Sequence, residues 1–197
     1  MAWELFWDVE TKSWFTDTGN YDPANLGVSV VSVYWRHGKD EQLISFWERD
    51  FDAMWKLFRQ ADRIVGFNTL EFDIPAMKPY APTDFTKLSH FDILHQIRSV
   101  NQGRGASLNA IAKETLGRAK TDDGANAMLY WQKGDPQSLT TLQKYCEADV
   151  LLTRDIYDFA LKHKHLKFID KWNNLRTVNL DFSYPEVTGP VRQSSLF

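Results

Sequence analysis

The sequence predicts an α/β protein: a mixed sheet, three antiparallel strands followed by parallel strands, flanked by helices. Three observations predict it. Strand-like runs crowd the N-terminal quarter, helical spacing then alternates with further buried strands, and a long helical pattern fills the C-terminal third.

Residues 5–9 form a short apolar run that ends in acids and reads as a buried strand. A loop containing Gly, Asn and Pro covers residues 18–25. Residues 28–35, rich in Val, Tyr and Trp, read as a second strand. After the turn-like His37-Gly38-Lys39-Asp40, residues 42–47 give a third, completing an antiparallel meander. Residues 52–60 switch to helical spacing, with Met54, Trp55, Leu57 and Phe58 as the apolar stripe. Residues 63–67 are another buried strand. Prolines and turn residues keep 74–86 irregular, and 91–100 read as a strand running into a helix.

Three helices are then expected, over residues 107–116, 124–132 and roughly 139–165, with Ser107 and Thr140 at or near their caps. One more strand is expected over 178–184, and the last residues, with Gly189, Pro190 and Ser194-Ser195, read as a mobile tail. The expected organisation is one domain over residues 1–168, a C-terminal extension over 169–185, and a tail over 186–197.

Composition narrows the function classes. The chain has 197 residues, 43% of them apolar and 14% aromatic, enough for a sizeable core and too many for a disordered chain. A net charge of −3 argues against a protein that holds nucleic acid by overall charge. It leaves room for an acidic site that holds cations. A single cysteine, Cys146, excludes disulfide scaffolds and cysteine-based zinc sites. Neither a signal peptide nor a membrane-length apolar run is visible, so the expected location is the cytoplasm, with no membrane partner.

Three acidic constellations stand out. Asp8 and Glu10 lie two apart on the first strand and so share a face, with Val9 turned to the opposite one. Paired acids at the end of a buried strand need compensation, and a divalent cation supplies it. Next, Gly66 ends a strand and permits close backbone approach, and Asn68 and Asp73 follow at its C-terminal rim. Third, Tyr145 and Asp149 sit one turn apart on one face of the long helix, while Glu147 falls on another face and is expected to be solvated.

The order Asp-x-Glu-Thr, Asn-x-x-x-Phe-Asp, Tyr-x-x-x-Asp resembles the three motifs of the DEDD 3′–5′ exonuclease superfamily, within the ribonuclease H-like fold. Lys144 stands where the histidine subtype carries its His, and Tyr145 matches the tyrosine (DEDDy) subtype. The resemblance covers about residues 4–168. It implies that Asp8, Glu10, Asp73 and Asp149 hold two Mg²⁺ or Mn²⁺ ions that activate water and stabilise the departing 3′ oxygen. Tyr145 would orient the water, since a phenol is a poor base at neutral pH.

By the same analogy Thr11 touches the terminal 3′ hydroxyl, Trp14 stacks on the last base, and Asn68 bonds a sugar or phosphate. Lys120, in the loop before the second of the three helices, offers charge to a phosphate. The basic run closing the long helix, Lys162 to Lys171, reads first as a helix terminus complemented by cations. The chain ends Gln193-Ser194-Ser195-Leu196-Phe197, which resembles the peptide that docks bacterial replication and repair proteins on the sliding clamp. Its second position departs from the usual Leu. The expected partners are therefore single-stranded nucleic acid or 3′ ends, DNA before RNA, and a bacterial sliding clamp. An exoribonuclease and a silent nucleic-acid- or clamp-binding module are the competing readings.

Overall fold

The computed structural model describes residues 2–118 and 124–184. Its centre is a five-stranded sheet in the order β3-β2-β1-β4-β5. β1 (Glu4–Thr11), β2 (Val28–His37) and β3 (Asp40–Trp47) form the antiparallel meander, and β4 (Arg63–Gly66) and β5 (His90–Asp92) add parallel to β1. The mixed sheet flanked by helices is the fold the sequence predicts.

Between the strands lie α1 (Phe15–Thr18), α2 (Phe51–Phe58) and α3 (Asp73–Met77). After β5 come α4 (Ile93–Val100), α5 (Leu108–Leu116), α6 (Gly124–Lys133) and α7 (Pro136–His163). A second, two-stranded sheet pairs β6 (His165–Ile169) with β7 (Leu175–Asn179).

Strand periodicity sorts the core into two layers. Leu5, Trp7 and Val9 pack with Met54, Phe58 and Met77 from α2 and α3. Phe6 packs on the other face with Ile97, Ile111, Ile156 and Tyr157 from α4, α5 and α7. Asp8 and Glu10 continue the row of Phe6, so β1 turns apolar residues, then acids, toward the face α7 covers. Leu166, Phe168, Val178, Leu180 and Phe182 join this second layer.

Several expectations need correction. α7 begins at Pro136 rather than near residue 139, because Asp135 accepts from Gln137 N and Ser138 N and Pro136 fits the first turn. Thr140 is therefore no cap; its Oγ donates back to the Pro136 carbonyl inside the helix. α7 stops at His163, where Lys164 adopts a left-handed φ of 60°, and residue 165 opens β6. The last strand spans Leu175–Asn179 rather than 178–184, set by its pairing with β6. The loop expected over 18–25 carries a 3₁₀ turn at Pro23–Asn25 and follows directly on α1. Glu147 is half-buried and accepts from Ser45 Oγ and Gln143 Nε2, both at 2.8 Å, because α7 lies against the β2–β3 hairpin.

Candidate active site

Three distant segments meet at the end of β1. β1 and β4 pair only as far as Phe6–Val65, which leaves the edge of β1 beyond Phe6 open on that side. The chain then turns through residues 67–72 and returns at α3. Asp73 takes the open edge: its Oδ1 accepts from Val9 N at 3.2 Å. A carboxylate is thereby fixed on the backbone between Asp8 and Glu10. The return is tight, since a Cβ on Gly66 would stand 2.1 Å from Thr69 Cγ2.

α7 supplies the third segment. Tyr145, Cys146 and Asp149 are buried on its sheet-facing side. Cys146 Sγ lies 3.4 Å from the Asp8 carbonyl and 3.8 Å from Asp8 Oδ2. The Cys146 thiol and one carboxylate oxygen each of Asp8 and Glu10 fall within 4.8 Å of one another. Burial, then Asp8 and Glu10, push this thiol well above its ordinary pKa. Without a cation it is a protonated thiol, within donor distance of the Asp8 carbonyl.

The electrostatics tie Asp73 to the rest. Burial pushes its carboxyl up to about 7, and the charges of Asp92 and Asp149 add to the rise, against the lowering by Val9 N. A carboxylate desolvated among other carboxylates is a site in need of positive charge. An all-carboxylate donor set of this kind suits a hard divalent cation such as Mg²⁺ or Mn²⁺.

Other expected residues take varied places. Thr11 is buried at the irregular end of β1, with its Oγ donating to the Ser13 carbonyl at 3.3 Å. Trp14 is half-buried at the start of α1, and the neighbouring Phe15 meets Phe72 edge-on at 6.2 Å. That contact sets the segment after β1 against the segment leading into Asp73. Asn68 adopts a left-handed φ of 64°, its N donates to Asp92 Oδ1, and its own buried Oδ1 has no hydrogen-bond partner. Lys120, Gln193, Leu196 and Phe197 lie outside the described residues.

Sequence reasoning missed Asp92. Its carboxylate accepts from Asn68 N and Leu70 N, and also caps α4 through Leu94 N and His95 N, at 2.9–3.2 Å. One buried acid thus fixes the turn that carries Asn68 and Asp73. An acid immediately before the helical pattern at Ile93 was the available signal. Cys146, read only as a lone thiol, is the second omission.

Among the described residues no helix is long and apolar enough to cross a membrane. A search of curated proteins returns no match. Residues 5–161 match the sequence profile of the RNase_H superfamily, a span that covers the five-stranded sheet from Leu5 onward and includes Asp8, Glu10, Asp73, Tyr145 and Asp149. Nucleases of this fold process nucleic acid and generally use divalent metal ions, for which the carboxylates around Asp73 are fitting donors. By fold and by sequence the chain belongs to the RNase_H superfamily.

Proposed function

We propose that the protein is a 3′–5′ exonuclease of the tyrosine DEDD type, acting on single strands or 3′ ends, with DNA as the preferred substrate. The observation that supports this reading most strongly is the seating of Asp73 on Val9 N, which joins the first two motifs, while Cys146 sets the helix of the third against Asp8. Asp8, Glu10, Asp73 and Asp149 are the residues that hold two Mg²⁺ or Mn²⁺ ions. Those ions supply water activation and charge neutralisation at the scissile phosphate.

The chain's own groups do the rest. Tyr145, buried one helical turn from Asp149, aims a hydrogen bond at the attacking water. Thr11 touches the terminal 3′ hydroxyl, Asn68 bonds a sugar or phosphate, and Trp14 offers a ring to the last base. Water oxygen bonds to phosphorus as the bond to the 3′ oxygen breaks. The shortened strand keeps a 3′ hydroxyl, and a nucleoside 5′-monophosphate leaves.

Preference for DNA rests on the terminal peptide, in which Gln193, Leu196 and Phe197 are proposed to dock on a bacterial sliding clamp. Removing residues 193–197 should abolish co-elution with the clamp and leave hydrolysis of short oligonucleotides unchanged; a full-length chain that never co-elutes ends the docking idea. The exonuclease reading is tested with 5′-labelled single-stranded DNA and RNA in Mg²⁺, Mn²⁺ or EDTA. Stepwise shortening from the 3′ end, faster on DNA and absent in EDTA and in Asp8→Ala, is expected. Faster RNA trimming would transfer the assignment to an exoribonuclease, and activity indifferent to Asp8→Ala would remove it.

A further inference from the structure

Two cavities that share Gly105 run from the turn at Asn68 to a basic, aromatic surface that none of the three motifs uses. The turn between β6 and β7 is held by Asp170, whose carboxylate accepts from Trp172 N, Asn174 N and Arg176 Nε at 2.7–3.0 Å. This turn pushes Trp172 outward, where it stays 54% exposed. Arg104 and Lys171 stand 5.4 and 4.6 Å from its ring centroid. Neither cation has a carboxylate partner among the described residues, whereas the one acid nearby, Asp170, is already engaged with Arg176. The result is a local positive excess in a chain whose net charge is −3. A cavity of about 370 Å³ opens between these side chains.

That cavity meets a second one, of about 470 Å³, at Gly105. The second is lined by Phe67, Asn68, Arg98 and Gly103, and so begins on the same turn that carries Asp73. Gly105 lies so close on α4 that a Cβ there would stand 2.4 Å from Leu94 Cδ1.

We propose that Trp172, Arg104 and Lys171 form a second binding site, for the backbone and one base of a single nucleic-acid strand whose 3′ end occupies the acidic centre. The proposal rests on the exonuclease reading for the position of that 3′ end. A flat exposed ring between unpaired cations matches a base and its flanking phosphates. An acidic peptide would use the charges and leave the ring idle.

The test is fluorescence anisotropy of the full chain in EDTA, where cleavage stops, with strands of about four and about sixteen nucleotides that bracket ordinary single-strand site sizes. Trp172→Ala should weaken the longer strand about 5-fold or more, and Trp172→Phe should restore it. An abasic version of the longer strand should be indifferent to both changes. Arg104→Ala with Lys171→Ala should flatten the salt dependence by about 1.4 in log–log slope. Cleavage of the four-nucleotide strand in Mg²⁺ should stay within about 2-fold of the parent. Unchanged affinity for the long strand overturns the proposal, as does an equal loss on long, short and abasic strands. Equal loss of binding to polyglutamate also overturns it, and assigns the surface to acidic protein. If the parent binds as expected but shortens no strand, the binding site stands and the exonuclease reading falls.

Discussion

Asp73 is the residue on which the centre turns, because its burial and its neighbours both oppose its charge. A free aspartate titrates near 3.8 and this one near 7. The folded, cation-free protein thus holds a proton that the unfolded chain releases, and stability declines as pH rises from about 4 to about 7. Asp73→Asn keeps the acceptor for Val9 N and removes the charge. In EDTA the variant should be more stable than the parent by about 1–3 kcal/mol at pH 8, and the gain should vanish near pH 4. Denaturant unfolding at several pH values measures this, and a gain independent of pH would contradict it. Saturating Mg²⁺ should stabilise the parent and not the variant. Tyr145 is buried one helical turn from Asp149, and its proposed part is to orient water rather than to hold a cation. Tyr145→Phe should therefore slow strand shortening about 10- to 100-fold while Mn²⁺ affinity stays nearly constant, the split expected of a positioning group.

At the scale of elements, the turn from β4 to α3 carries the most constraint. It is fixed at one end by the approach of Thr69 to Gly66 and in the middle by Asp92. Gly66→Ala should cost about 1–3 kcal/mol through overpacking against Thr69, and Thr69→Ala in the same chain should recover part of it. Thermal melts of the single and double variants measure the coupling; additive losses would mean that the close approach is irrelevant. These elements also show what the sequence makes legible. Alternation along β1 placed Asp8 and Glu10 on one face because strand period is fixed by geometry. The position of Asp73 followed from a glycine-ended strand and a turn. Asp92 was hidden, since its strand has three residues and two of the amides it serves come from another segment. The start of α7 was displaced because Thr140 outshone the Asp135-Pro136 pair that caps the helix. β6 escaped because no glycine marks the helix stop at Lys164, and β7 was expected too late because a five-residue strand leaves little periodicity to read.

At the scale of the whole molecule, the five-stranded sheet works as a divider with apolar layers on both faces and its acids at one end of the central strand. α7 closes one face and brings Asp149 to the carboxylates of β1 and α3. In the proposed function these three parts of the chain build one cation-binding centre. Calorimetric titration of Mn²⁺ into the parent and into Asp8→Ala, Asp73→Ala and Asp149→Ala tests it most directly. Each substitution, though on a different element, should weaken Mn²⁺ binding about 10-fold or more, the loss usual for removal of a ligand or its support. A titration in which one variant loses binding and the other two keep the parent's affinity would contradict a shared centre.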